Sequence, residues 1–330
     1  MIPLLGLSSC WSVIATACWL LAMNKNADMM NNTGDVKIVS LYRYAIKGLS
    51  GDASESVQLE REGDTFPDDR KYALLKYPDK FDSMNPQWLH KENFLCAFTN
   101  PQLMAKYKSK YEILPSSSST IKNKNVLTIW KKDSNFGLKS NQLPDCQVDL
   151  NTQLGREELA RYFSNESEQS LTCVCSSSEK KKHQFGNTSS GVKARNDTRT
   201  IHIINAATVR QVSSVLGIPL RPERFRPNII IDGCEPWSEF DWVDSTISIH
   251  NNKNDNHDNV QMDVIRTTVR CAGVSIDPDT YTGNKEDEVD IPTLLQKHFP
   301  QYGPYLGVYA TLKSPGTISI GDSIHTTSSK

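Results

Sequence analysis

The chain has 330 residues and a formal net charge of −1. That length suits about two domains with real cores, and the near-neutral balance excludes a broad nucleic-acid surface. Its eight cysteines (10, 18, 96, 146, 173, 175, 234, 271) are too few and too irregular for a disulfide framework.

Residues 1 to 24 carry no charged side chain, and Val13 to Met23 is their densest apolar run. Residues 1–34 therefore read as a targeting or anchor segment with its linker, giving membrane association through residues 9–23. A helix from Ser9 to Met23 reaches only ~22 Å at about 1.5 Å per residue, short of a ~30 Å hydrocarbon core. A cleaved signal or shallow anchor is favoured over a full span. The segment implies an organelle or a membrane; without it the chain would be cytoplasmic.

Order begins near Asp35, where DVKIVSLYRYAIKGL alternates like a strand and ends at Gly48 and Gly51. Tyr72 to Tyr77 is a second strand. Asn100 to Tyr111 reads as a short helix with Asn100 as N-cap and Pro101 in the first turn. Asn125 to Lys132 is a strand and Gly155 to Phe163 a helix. Residues 164–199, rich in Ser, Asn and Lys, lose periodicity and read as a disordered insertion. Thr200 to Asn205 is a strand, followed by a helix opening at Thr208 with Gln211 completing a capping box and Gly217 stopping it. The remainder is strands and turns, with a polar loop at Asn251 to Asp258 and a short helix begun by Pro292. Short strands at this spacing predict a mainly β (α+β) chain: two β-barrel-like domains with a few short helices.

The chemistry concentrates in two segments. Val260 to Cys271 is a strand whose apolar parity switches at Val264–Ile265, as a β-bulge would produce. Continuing the second parity puts Cys271 on the face of Val269 and Arg270 on the opposite face. A turn of Asp277, Pro278, Asp279 and Thr280 follows. Upstream, RFRPNIIIDG runs from Arg224 to Gly233. Pro227 pushes Arg226 toward an extended conformation, which places Arg226 and Asn228 on one face. An Arg fork suits a phosphate. Taken singly, Cys271 is more often a buried structural thiol and Arg226 a surface partner for Glu223 or Glu235. The histidines form no zinc set, and no dinucleotide fingerprint, P-loop or nucleophile elbow is present.

Together, RC with IDPDT, RFRPN and the closing GPYLGVYATLKSPGTISIGDSI (Gly303 to Ile324) resemble the MOSC family. YAIKGL (Tyr44 to Leu49) and DDRKYALL (Asp68 to Leu75) resemble marker segments of the MOSC N-terminal β-barrel domain, with Ala45 where proline is usual and Gly48 where Ser is common. The resemblance implies an N-terminal barrel at 35–163 and a MOSC domain at 200–327, as in the family's amidoxime-reducing members. It implies a molybdenum–molybdopterin cofactor on Lys47, Arg70, Arg226 and Asn228, with Asp277 in support, and Cys271 as catalytic thiolate and sole protein ligand of molybdenum. The implied reaction is reduction of small N-hydroxylated or N-oxide substrates, with electrons from a b-type cytochrome or flavin reductase. The alternative is a sulfur carrier or cofactor-binding module using a persulfide on Cys271. The pyridoxal-phosphate desulfurase region of the cofactor sulfurase is missing, so release of sulfur from cysteine is not expected.

Overall fold

The computed structural model describes residues 35–115, 123–133, 137–176, 183–186, 199–250 and 259–327. The expected amino-terminal anchor, the polar loop 251–258 and much of the 164–199 insertion lie outside those residues.

Sixteen strands and four α-helices are assigned among the described residues. In chain order, β1 (Val36–Arg43), β2 (Asp52–Ser54), β3 (Ser56–Leu59), β4 (Tyr72–Leu75) and β5 (Phe94–Leu95) precede α1 (Pro101–Ala105). Then come β6 (Tyr107–Leu114), β7 (Lys124–Lys131), β8 (Cys146–Asp149), α2 (Gln153–Ser167) and β9 (Thr172–Cys175). The carboxyl half holds β10 (Ile201–Asn205), α3 (Ala206–Leu216), β11 (Ile229–Asp232), β12 (Thr246–His250) and β13 (Val260–Val269). It ends with α4 (Ile291–His298), β14 (Tyr305–Ser314), β15 (Gly316–Ser319) and β16 (Ser323–Thr327).

Seven strands close a barrel in the order β1-β11-β10-β14-β13-β12-β16, with β16 returning to β1. Closure removes the exposed edges an open sheet would present. The interior is filled by β-branched and aliphatic side chains, among them Ile38, Ile203, Ile229, Met262 and Val308, all at most 1% exposed. The mainly β expectation holds, but β1 closes this barrel instead of staying with the amino-terminal unit. Its outer end pairs with β2, and β3 pairs with β15, so three early strands belong structurally to the carboxyl half. The amino-terminal unit is two three-stranded sheets, β5-β4-β9 and β6-β7-β8, sharing one core with α2.

Three local readings are corrected. The helix after Asn100 stops at Ala105, and Asn100 makes no side-chain cap. Tyr107, Ser109 and Tyr111 alternate inward, and that period-2 burial makes β6 a strand. The third helix opens one turn earlier than expected, at Ala206, because Asn205 caps the amide of Ala207. Thr208 instead bonds Glu239 and the Trp237 amide, while Gln211 accepts from the Trp237 indole. The 164–199 stretch is folded at its start: α2 runs to Ser167, and β9 pairs residue for residue with β4. Leu171 and Cys173 supply the apolar burial that a disordered segment lacks.

Candidate active site

Lys47 and Arg70 sit side by side because their segments exchange main-chain hydrogen bonds. The amide of Lys47 donates to the Tyr72 carbonyl, that of Tyr72 to Ala45, and that of Arg70 to Tyr44. The tetrapeptide 183–186 seals this corner: the Phe185 amide donates to the Arg70 carbonyl, and the Lys47 ammonium reaches the Phe185 carbonyl at 3.2 Å.

From the barrel side, Arg226 and Asn228 enter just before β11. Arg226 is left-handed at φ 57, not extended as its neighbour proline suggested. Its backbone closes a short 3-10 turn over Pro222–Phe225. In this conformation its carbonyl accepts from Arg70 Nη2 at 2.9 Å and faces His202 Nδ1 at 3.2 Å. Its guanidinium donates to the Leu49 carbonyl and lies 4.3 Å from the centre of the Tyr44 ring. Asn228 is fully buried and ties three pieces together. Its Oδ1 accepts from the His202 amide and from Arg70 Nη1, and its Nδ2 donates to the Tyr42 carbonyl.

Cys271 follows β13 at the start of a 3-10 turn, Ala272–Val274. Arg224 holds that turn by donating to the carbonyls of Val274 and Ser275. The bulge expected at Val264–Ile265 is present, and the register against β14 also shifts between Gln261 and Met262 and between Thr267 and Val269. Thr268 and Arg270 are buried, as Val260, Met262 and Val264 are, while Val269 is 49% exposed.

Arg270, expected on the opposite face, is buried beside Cys271. It donates to the carbonyls of Leu306 and Phe225 and lies 2.6 Å from His202 Nε2. Burial, and next the Arg270 charge, hold the His202 pKa well below the usual imidazole range. A neutral ring accepting at Nε2 donates from Nδ1, which matches its contact with the Arg226 carbonyl.

One cavity of about 280 Å³ gathers these groups. Lys47, Arg70, Arg226, Asn228 and Cys271 all line it, as do His202, Arg270, Cys96, Gln184 and Tyr309. Asp277 does not. Its buried carboxylate takes two hydrogen bonds from Arg221, both 3.0 Å, and braces the loop after Cys271 from outside.

The cavity wall carries five cationic side chains (Lys47, Arg70, Lys91, Arg226, Arg270) and no carboxylate among the described residues. Behind it, Asp69 bonds Arg70 at 2.5 Å and outweighs burial, keeping the Arg70 pKa raised. Arg226 and Arg270 have no ion pair among the described residues, and burial pulls both down to about 10. Burial lowers Lys47 to about 8, with Cys96 opposing and Arg70 adding to the fall. A site that depresses several cations is short of negative charge. Such a wall fits an anionic ligand.

Residues 180–325 match the model of the MOSC domain family. Human mitochondrial amidoxime-reducing component 1 is 28% identical over 138 residues, which cover 40% of this chain and 38% of that protein. Rat mitochondrial amidoxime reducing component 2 is 25% identical over 135 residues, 39% of this chain and 37% of that one. The chain thus matches under two fifths of the length of these relatives. Among solved structures, the YUAD protein from Bacillus subtilis aligns over 90% of this chain and 98% of its own, at TM-score 0.37 and 9% identity.

Proposed function

The chain carries a MOSC domain over residues 180–325, and from that premise we propose that it is a molybdenum cofactor-binding oxidoreductase acting on N-hydroxylated or N-oxide compounds. The observation that carries this reading is the cavity wall, which among the described residues has five cations, no carboxylate and two thiols, buried Cys96 and half-buried Cys271. At about 280 Å³ the cavity is slightly smaller than the roughly 300–1,000 Å³ usual for ligand and cofactor sites.

The residues fit the implied group. Lys47, Arg70 and Arg226 would take its phosphate, with Arg270 adding charge, and Cys271 as thiolate would be the ligand to the metal. Asn228, bonded to His202, Arg70 and Tyr42, would position the cations and keeps a second Nδ2 hydrogen for the ligand. When bound, the cofactor supplies the two-electron redox chemistry that side chains lack. Cleaving an N–O bond to water also consumes two protons.

Electrons would come from a partner protein, a b-type cytochrome or a flavin reductase. The names of the relatives support an amidoxime as substrate and a mitochondrial location. No helix among the described residues is long and apolar enough to cross a membrane.

The test is reduction of an amidoxime by chain purified from a cofactor-competent host, with an artificial electron donor. Turnover should vanish in Cys271→Ser while the circular dichroism spectrum is unchanged, the swap being nearly isosteric. Wild-type turnover by that variant would remove Cys271 from the chemistry. Retained molybdenum without any turnover in the native chain would favour the cofactor-carrier reading.

A further inference from the structure

β6 and β7 carry a charge excess that the chain as a whole lacks. Residues 106–139 hold eight lysines against two acids, Glu112 and Asp133, in a protein of net charge −1. Strand pairing sorts these charges by face. Tyr107, Ser109 and Tyr111 are buried, so Lys108, Lys110, Glu112 and Leu114 share the outer face. Cross-strand partners add Trp130 opposite Lys108 and Lys124 opposite Leu114.

Apolar side chains stand among the lysines. Leu114 is 44% exposed and Leu138 47%, and both line a shallow surface groove with Lys108, Lys110 and the half-buried Trp130. The nearby carboxylates are engaged: Glu112 pairs with Lys110, Asp279 with Lys108, and Asp149 accepts from the amides of Asn125 and Asn151. Lys106, Lys124 and Lys139 are exposed and have no ion pair among the described residues. The edge of β6 is closed to an added strand. The Tyr111 amide donates to Asp52 Oδ1 at 2.9 Å, the Ser109 amide to Ser50 Oγ at 3.4 Å, and the Tyr111 carbonyl accepts from Arg43. An extended peptide finds no free ladder at these residues. A bilayer needs none.

We propose that the outer face of β6 and β7 is a docking surface for a membrane rich in anionic phospholipid. Leu114, Leu138 and Trp130 enter the headgroup layer, where an indole suits the boundary between polar and apolar. Lys108, Lys110 and Lys124 meet the lipid phosphates and carboxylates.

The experiment sediments full-length chain with vesicles of phosphatidylcholine alone and of equimolar phosphatidylcholine and phosphatidylserine. Native chain should bind the second kind at least about tenfold more tightly, and less so as salt rises. Lys110→Gln and Lys124→Gln should each weaken that binding about fivefold, the scale of one lysine at an anionic surface. Leu114→Ser should cost a similar factor, roughly fivefold, by withdrawing apolar area. All three side chains are exposed, so thermal melts should match that of native chain. No binding to anionic vesicles, or equal binding to both kinds, would overturn the surface. So would variants that bind like native chain, because another part of the protein would then hold the vesicle. Capture on immobilised polyglutamate without vesicle binding would give the face to an acidic protein instead and overturn the membrane assignment.

Discussion

Gly307 gives the strictest test of how the cavity wall is built. It lies in β14 beside the register shift between Thr267 and Val269 of β13, at φ +78. A methyl group there would stand 2.6 Å from the Ile203 carbonyl oxygen, 2.7 Å from Ile204 Cγ1 and 3.0 Å from His202 Nε2. None of these is the end of a flexible side chain, and Ile203 and Ile204 are completely buried. The left-handed backbone costs an L-residue about 1–2 kcal/mol, and overpacking adds roughly 1–3 kcal/mol. Gly307→Ala should therefore lose ~2–5 kcal/mol, lowering Tm on the order of 10 °C at about 2–4 °C per kcal/mol. Gly217, at φ +64 with nothing within 4 Å of an added methyl, separates the two costs. Gly217→Ala should lose only the backbone share, ~1–2 kcal/mol. Paired thermal melts followed by circular dichroism measure the difference. If both variants melt within a degree or two of each other, the close approach of β14 to His202 is not what makes Gly307 necessary.

Burial depresses Lys47 to about 8, below the ~10.4 of an unfolded lysine, so between those values the unfolded chain binds more protons and stability rises with pH. Ligand-free Lys47→Met should lack that rise and be on the order of 3 kcal/mol more stable at pH 7; parallel pH profiles for the two proteins in urea melts would refute it. Glu239, completely buried with Thr208 and Asn205 as donors, is raised by burial to about 7. As pH climbs from about 4.5 to 7 the unfolded chain loses its proton first, so native stability should fall through that window. Glu239→Gln should remove the slope, and an unchanged slope would mean that Glu239 is not its source. Phosphate added to ligand-free native chain should raise Tm, and much less so in Arg226→Met, since a ligand bound only by the folded state stabilises it; equal shifts would place phosphate binding elsewhere.

Residues whose neighbours form a compact pattern could be placed from sequence. Lys47, Arg70, Arg226, Asn228 and Cys271 each lie in a segment with its own signature, and all five line the cavity. His202 lies in β10, where nothing local marks it, and Arg270 was missed for a geometric reason. Facing is inferred by counting alternation along β13, and the count fails where its register against β14 shifts three times. Arg226 was read as extended because proline biases its predecessor that way, but the closing turn and the hydrogen bonds to its carbonyl outweigh that bias. Asp277 was grouped with the cofactor residues because it shares a motif with Cys271. The turn sends its carboxylate to Arg221, away from the cavity. Gln184 and Phe185 come from a stretch with no periodicity, and Cys96 and Phe98 from a loop. Tertiary packing alone brings them to the site. The barrel suffered in the same way: the alternation of β1 says strand, but nothing local says that it pairs with β11 nearly two hundred residues later.

The central claim is that this cationic cavity holds a molybdenum cofactor. Its most direct test is the molybdenum and pterin content of full-length chain purified from a cofactor-competent host, measured for native protein and for Arg226→Met. Near-stoichiometric metal and pterin in the native chain, with most of both lost in the variant, is the predicted result. A folded native chain that carries neither, or equal loading of the two proteins, would contradict it.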